Sequence, residues 1–242
     1  TILCAGPHHV VEIEKAEKLY GLNKKNLVEF GYPRLDQLLN HVSSKTKVTD
    51  VGPNYNNELL VLIAPSWGPE GIIESGLCLK LVGELVELGH KIIVRPHPQT
   101  MKFNNEKIIE IQNAFSSSNR VTLEVDVQGH SSLLASDIMI SDWSGVALEF
   151  ALGFRKPVIF CDVPKKINNP KYLELGLEPL EDHIRNKIGS IWDTKSPIDQ
   201  VIYNCQKNID HSKLESISRK YVYNIKETDK AFIGFLESLN LI

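Results

Sequence analysis

Short runs of consecutive apolar residues recur along this chain and predict buried β-strands. Most of these runs are continuously apolar and do not alternate with polar residues. That pattern is typical of strands covered on both faces, as in a parallel sheet. The clearest runs are Leu59–Ala64, Lys91–Val94, Ile138–Ser141 and Pro157–Cys161, and the weaker candidates are Val121–Val125 and Leu27–Phe30.

Segments with helical spacing lie between these runs. Within Gly76–Leu88, apolar residues recur at positions 77, 81, 82, 85 and 88, which defines one face of an amphipathic helix. Strands that alternate with helices indicate a βαβ series with right-handed crossovers. Further helices are predicted at Val10–Tyr20, Leu35–His41, Asn105–Phe115, Ser131–Ala135 and Val146–Leu152.

The alternation predicts a doubly wound, parallel α/β domain over residues 26–195. Residues 1–25 are expected to be a helical lead-in, and residues 196–242 a helical tail without a clear strand. The polar stretch Ser43–Asn57 is predicted to be a surface loop. Helices of the tail are predicted at Asp199–Asn208, Lys213–Tyr223 and Lys230–Leu239.

Composition narrows the class of protein. The chain has 242 residues, of which 42% are apolar and 24% charged, as in ordinary globular proteins. A formal charge of -3 argues against a nucleic-acid partner, which usually selects a basic surface. Four widely spaced cysteines without a CxxC pair are expected to be reduced, mostly buried thiols of a cytoplasmic protein. Thr1 is not an initiator methionine, so we expect the chain to be part of a longer protein.

Polar and helix-starting residues follow four of the predicted strands. The segments are "PSWG" after Leu59–Ala64, "RPHP" after Lys91–Val94, "DWSG" after Ile138–Ser141 and "DVPKK" after Pro157–Cys161. Ligands of open parallel sheets bind outside the carboxyl ends of the strands. The four segments are therefore expected to share one ligand-binding edge of the sheet.

The segment "SDWSG", residues 141–145, has the residue types of a phosphate site at a helix start. Asp142 or Ser144 is expected at or near the N-cap of the following helix. Gly145 lets a ligand approach the backbone closely, and the free amides and the helix dipole favour a phosphate. A plain helix cap without a ligand is the alternative interpretation.

Arg95 and His97 stand in a turn that Pro96 and Pro98 stiffen. An arginine can hold a phosphate through paired hydrogen bonds, and a histidine can donate to a phosphate oxygen as charge gathers on it. The alternative is a salt bridge at the strand end beside a histidine with an ordinary structural partner.

Two further residues are candidates for contacts with a nucleoside. Glu149 lies about one turn into the helix after "SDWSG" and can accept hydrogen bonds from ribose hydroxyls, or it can belong to a solvated helix face. Trp67 can stack on a base, or it can be part of the core.

The sequence contains no Walker A motif, GxGxxG, GxSxG or HExxH, so P-loop, standard dinucleotide-binding, nucleophile-elbow and zinc-protease chemistry are disfavoured.

Taken together, the motifs resemble those of the CDP-glycerol glycerophosphotransferases, which build teichoic-acid-like polymers. The similar segments are "GYPRLDQL" (31–38), "IAPSW" (63–67), "RPHP" (95–98) and "ASDIMISDWSGVALEFALGFRKPVIF" (135–160). The resemblance implies the C-terminal, Rossmann-like half of a GT-B fold, with the donor nucleotide bound in it. It also implies a missing N-terminal lobe, which carries a histidine in an HG motif. The "GPHH" at residues 6–9 is not in that context and is interpreted as a polar pair at a helix start.

The implied function is transfer of glycerol phosphate or a related polyol phosphate from a CDP-activated donor to a lipid-linked or polymer acceptor. This sequence departs from the family pattern at Trp143, Gly145 and Glu149, which leaves the identity of the CDP-alcohol open. The full-length protein is expected to be cytoplasmic and peripheral at the inner face of the membrane. A GT-B enzyme that uses a UDP-sugar or CMP-Kdo, a nucleotide-binding domain without catalysis and a bare structural domain are the alternatives.

The predicted site needs no metal and no cofactor. His97 is predicted to be catalytic by stabilising charge on the departing CMP. The donor pyrophosphate is expected to contact Arg95, Ser141, Asp142, Ser144 and Gly145. Ribose or base contacts are expected from Glu149, Pro65, Trp67, Ser131 and Ser132.

Overall fold

The structure is a computed structural model that describes residues 1–45, 58–126, 129–167, 169 and 171–241. Its strands are β1 (Ile2–Cys4), β2 (Leu27–Glu29), β3 (Leu60–Ile63), β4 (Lys91–Val94), β5 (Val121–Leu123), β6 (Ile138–Ser141), β7 (Val158–Cys161) and β8 (Ser190–Trp192). Its helices are α1 (Pro7–Tyr20), α2 (Pro33–Lys45), α3 (Leu77–Glu87), α4 (Pro98–Phe103), α5 (Asn105–Ala114), α6 (Ser131–Ala135), α7 (Gly145–Gly153), α8 (Leu180–Ile188), α9 (Ile198–Lys207), α10 (His211–Tyr221) and α11 (Thr228–Ser238).

All six predicted strands are present, and the helices predicted between and after them are confirmed within a few residues at each end. The sequence analysis missed β1 and β8, which have three residues each and are too short for a periodicity signal. It also missed α4 and α8. Helix α2 runs to Lys45, so the prediction of a loop is wrong for its first three residues. The rest of that loop lies outside the described residues.

The described chain divides into two compact units. The first comprises Thr1–Lys47, Ile167–His183 and Asp210–Ile242, and the second comprises Val48–Lys166 and Ile184–Ile209. These units cut across the sequence-based division at residues 25 and 195, which stays a prediction about domains.

Six strands of the second unit form one parallel sheet in the order β5-β4-β3-β6-β7-β8. The predicted α/β class with a parallel sheet is confirmed. The chain runs outward from β3 through β4 to β5 and then returns to the other side of β3 at β6. The crevice outside the carboxyl ends of β3 and β6 is therefore a topological switch point, where ligands of such sheets bind.

Both faces of the sheet are covered, which explains why its strands are continuously apolar. Val61, Ile63 and Ile140 point to the face that packs against α3, α5 and α9. The opposite face carries residues such as Leu62 and Met139, which are fully buried, with α6 and α7 packed against the central strands. Helix α7 is apolar on nearly all sides for the same reason.

In the first unit, the "GYPRLD" segment has a structural role. The Asp36 carboxylate accepts hydrogen bonds from the backbone amides of Lys226 (2.5 Å) and Thr228 (3.1 Å) and from the Thr228 hydroxyl (2.6 Å). It thereby fastens the start of α11 to α2. Gly31 has a φ of +107°, and a Cβ there would lie 2.5 Å from the Tyr223 carbonyl oxygen, so only glycine fits.

Candidate functional site

The loops after β3 and β6 are tied to each other at the switch point. The Ser141 hydroxyl donates to the Ala64 carbonyl at 2.6 Å, and the Ser66 amide donates to Asp142 Oδ1 at 2.7 Å. Ser141 and Asp142 are both buried. These two predicted phosphate ligands therefore hold the edge of the sheet together.

Asp142 has one carboxylate oxygen left over at this edge. Its Oδ2 is buried and has no hydrogen-bond partner among the residues that the structure describes. The Glu74 carboxylate is arranged similarly: Oε1 accepts from the Thr100 hydroxyl at 2.6 Å, and Oε2 is buried without a partner in the same described set. Buried oxygens of this kind are costly unless a ligand or water satisfies them.

His97 is held in one orientation by the turn that it occupies. It is the N-cap of α4, and its Nδ1 accepts a hydrogen bond from the Gln99 amide at 3.1 Å. In the neutral ring the proton is then on Nε2, which is free to donate. Burial lowers the pKa of His97, the cation of Lys166 lowers it further, and the carboxylates of Glu74 and Asp142 oppose the shift. The neutral donor form is thus favoured.

Trp67 and Lys166 lie next to this imidazole. The Trp67 ring stacks on His97 at 6.3 Å between centroids, and Lys166 Nζ lies 4.2 Å from the centre of the Trp67 ring, a cation–π distance. Burial lowers the pKa of Lys166, while Asp142 and Glu74 oppose this. The structure therefore brings residues from the ends of β3, β4, β6 and β7 to one place.

Arg95 has other partners. Its guanidinium donates to Ser132 Oγ at 2.9 Å, to the Gly129 carbonyl at 3.1 Å and to Glu124 Oε2 at 3.3 Å. The Arg95 side chain is 6% exposed and that of Glu124 is 18% exposed. This is the salt bridge at the strand end that the sequence analysis named as the alternative. Ser132 is buried with Arg95, whereas Ser131 is exposed at the start of α6.

The start of α7 is open. Ser144 is its N-cap and makes no side-chain capping bond, and a Cβ at Gly145 would meet nothing within 4 Å.

Glu149 is 9% exposed, so it does not lie on a solvated face. Trp143 donates from Nε1 to the Val163 carbonyl at 3.1 Å and carries the Arg185 guanidinium 3.8 Å above its ring.

Of the remaining predicted residues, Pro65 is buried behind the edge and Trp67 is partly exposed on it. Sequence reasoning missed Lys166, Glu74 and Arg185. Lys166 had a signal, because it ends the "DVPKK" segment after a predicted strand, but the sequence cannot distinguish it from Lys165. Glu74 and Arg185 lie far from the end of any predicted strand, so the sequence contained no signal that could have identified them.

A family model described as CDP-Glycerol:Poly(glycerophosphate) glycerophosphotransferase matches residues 8–167. This chain belongs to that family. The match includes every motif on which the resemblance was based. It also includes the whole cluster of Trp67, His97, Asp142 and Lys166.

Known proteins agree with this assignment. The teichoic acid poly(glycerol phosphate) polymerase of Staphylococcus epidermidis is 23% identical over an alignment of 155 positions, and the match covers 58% of this chain and 20% of the polymerase. The chain thus spans about a fifth of the length of that curated relative.

A solved structure shows the same fold. The UDP-GlcNAc 2-epimerase of Methanocaldococcus jannaschii, in complex with UDP-GlcNAc and UDP, superposes with a TM-score of 0.53 at 12% identity. The match covers 90% of this chain and 57% of that one. The predicted fold class, a Rossmann-like sheet as in GT-B proteins, is confirmed. That the chain forms the C-terminal half stays a prediction.

Proposed function

We propose that this chain is the donor-nucleotide-binding half of a transferase. The enzyme moves glycerol phosphate, or a related polyol phosphate, from a CDP-activated donor to a growing surface polysaccharide or teichoic-acid-like polymer. The observation that carries the proposal is the family match over residues 8–167, because it includes all the polar loops at the switch point of the sheet.

The reaction sets what these loops must do. An acceptor hydroxyl gives its proton to a base, for which the histidine of the expected N-terminal lobe is our candidate, and its oxygen bonds to the phosphorus that carries the polyol. The bond from that phosphorus to the bridging oxygen breaks. The electron pair stays on the bridging oxygen, and CMP departs with the added negative charge. Groups that donate hydrogen bonds to this oxygen lower the barrier. The Nε2–H of His97 is our candidate for this role.

The phosphates also need a cation, and we assign this role to Lys166. Arg95, the cation expected from the sequence, is held by Glu124, Ser132 and Gly129. Lys166 lies over Trp67, and no ion pair engages it within the described part of the chain. A bound phosphate would favour its charged form, and the open start of α7 would supply backbone amides to the same anion.

Two adjacent lysines allow a sharp test of this assignment. Lys166→Met removes the charge and keeps a flexible apolar side chain over Trp67, and Lys165→Met makes the same change one residue away. We expect Lys166→Met to weaken CDP binding in calorimetry by about tenfold or more, the loss of a charge-assisted hydrogen bond, and Lys165→Met to change it little. Equal losses in both variants would mean that Lys166 acts only through the positive charge of its segment and makes no specific contact with CDP.

The test also separates this residue assignment from the function itself. CDP binding by the wild-type chain that survives Lys166→Met would remove Lys166 from the site but keep the proposed function. No binding of any cytidine nucleotide would reject the donor-binding function.

In the part of the chain that the structure describes, no helix is long and apolar enough to cross a membrane. We propose a peripheral position at the inner membrane face for the full-length protein.

A further inference from the structure

The first unit contains a cavity of about 620 Å³, and none of its lining residues belongs to the proposed nucleotide site. Its size is in the range of small-molecule sites. The start of α1, the end of α10 and the segment 172–181 enclose it. Its walls combine apolar and polar residues: Pro7, His8, His9, Val11, Glu12, Tyr172, Leu175, Leu177, Glu178, Pro179, Leu180, Glu181, Lys220 and Tyr221.

His8 is one of the lining residues of this cavity. Burial lowers the pKa of His8 to about 4, and the neighbouring His9 contributes to the shift. The ring is therefore neutral at neutral pH. His8 therefore adds no positive charge to the lining of the cavity.

A chain of hydrogen bonds orients the Tyr221 hydroxyl. His183 Nδ1 lies 3.0 Å from Glu178 Oε2, and His183 Nε2 lies 2.7 Å from the Tyr221 hydroxyl oxygen. A carboxylate only accepts, so in the neutral ring Nδ1 carries the proton and Nε2 accepts from Tyr221. The hydroxyl oxygen of Tyr221 keeps lone pairs with which it can accept from a ligand.

The charges of the lining select against anions. Glu12, Glu178 and Glu181 line the cavity, and Lys220 is the cation among its lining residues. A phosphate would meet an excess of negative charge in this lining, which is unfavourable. Apolar leucines beside neutral and acidic hydrogen-bonding groups instead match a ligand with hydroxyl groups on one side and C–H groups on the other.

We propose that this cavity binds a neutral polyhydroxylated ligand, a sugar or polyol, through the hydroxyl of Tyr221. The inference is independent of the nucleotide site, since every residue that carries it lies in the first unit. It adds a second binding site to the protein.

The 242-residue chain can be tested without nucleotide. Methyl β-glucopyranoside, methyl β-galactopyranoside and glycerol serve as probes in saturation-transfer NMR, followed by titration of the strongest binder. Tyr221→Phe keeps the ring contact with His183 and removes the hydroxyl. We expect it to weaken binding about fivefold or more, as for a lost neutral hydrogen bond.

Tyr20→Phe is the matched control. The Tyr20 hydroxyl is likewise hydrogen-bonded to a side chain, Glu174 Oε2 at 2.9 Å, but Tyr20 lies outside the cavity lining, so its removal should leave binding unchanged. No saturation transfer to any neutral probe overturns the proposal, as does equal weakening by Tyr20→Phe. Displacement of the bound probe by inorganic phosphate would overturn the ligand class.

Discussion

Residues two positions apart can have unrelated roles, and Arg95 and His97 illustrate this. Both follow β4, and the Arg95 amide still pairs with the Ile63 carbonyl as in a strand. The Arg95 guanidinium reaches Glu124 and α6, whereas His97 contacts Trp67 and caps α4. Because the two side chains meet different neighbours, one stabilises the edge of the sheet and the other remains available to a ligand.

At the residue scale, His97→Ala in the full-length protein should lower turnover by about 10²-fold or more, as for a group that acts in the transition state. His97→Asn is the informative comparison, because asparagine can still accept from the Gln99 amide as an N-cap but cannot place a donor where Nε2–H lies. Steady-state assays should show a similar loss in both variants. Turnover near wild type in either one would remove His97 from the mechanism.

At the scale of elements, the start of α7 is available to a phosphate because no side chain caps it. Gly145→Glu adds a carboxylate into open space, so the fold should tolerate it. The added charge should repel the donor pyrophosphate and weaken CDP binding about tenfold or more. Gly145→Ala controls for the loss of glycine itself. Calorimetry that shows equal affinity for the glutamate variant and wild type would place the phosphates elsewhere.

The contact between α2 and α11 leads to a stability prediction. Asp36→Ala leaves two backbone amides and a hydroxyl without their acceptor, and we expect it to lower the free energy of unfolding by about 2 kcal/mol. Asp210→Ala removes the N-cap of α10, where Asp210 accepts from the Lys213 amide at an exposed position. This control should lose less stability. Urea denaturation of both variants checks the order, and an Asp36→Ala variant as stable as wild type would contradict the structural role.

At the scale of the whole molecule, the order of the sheet sets where chemistry can occur. The direction in which the chain crosses the sheet changes between the β3-β4-β5 side and β6, and sheets of this kind have a crevice outside the carboxyl ends of the two strands at that point. Four strand ends deliver side chains to this edge. Their grouping is a property of the topology, since no two of the four loops are neighbours in the sequence.

Nucleotide choice is the prediction that belongs to this scale, because a base pocket is built from several loops. Cytosine offers an amine donor where uracil offers a carbonyl acceptor. A buried mismatch costs on the order of 1–3 kcal/mol, so we expect CDP to bind at least about tenfold more tightly than UDP. Trp67→Ala should weaken both nucleotides and keep the preference, because stacking does not distinguish pyrimidines. Equal or tighter UDP binding in calorimetry would favour a sugar-nucleotide donor.

The sequence by itself determined the α/β class, the central strands and the edge at which polar loops collect. Continuous apolar runs report burial on both faces, and parallel strands necessarily bring their carboxyl ends together. The family motifs "IAPSW", "RPHP" and "SDWSG" pointed to the same edge. His97 and Trp67, both predicted from these signals, do lie side by side there.

The tertiary structure alone decided how each polar group of that edge is used. Ser141 and Asp142 bond to Ala64 and Ser66, which lie 77 and 76 positions away, and Arg95 is neutralised by Glu124. We assign to Lys166 the phosphate-binding role that the sequence analysis gave to Arg95. Such pairings depend on strand order and loop path, which hydrophobic periodicity does not encode, because it reports whether a residue is buried and not which residue it meets.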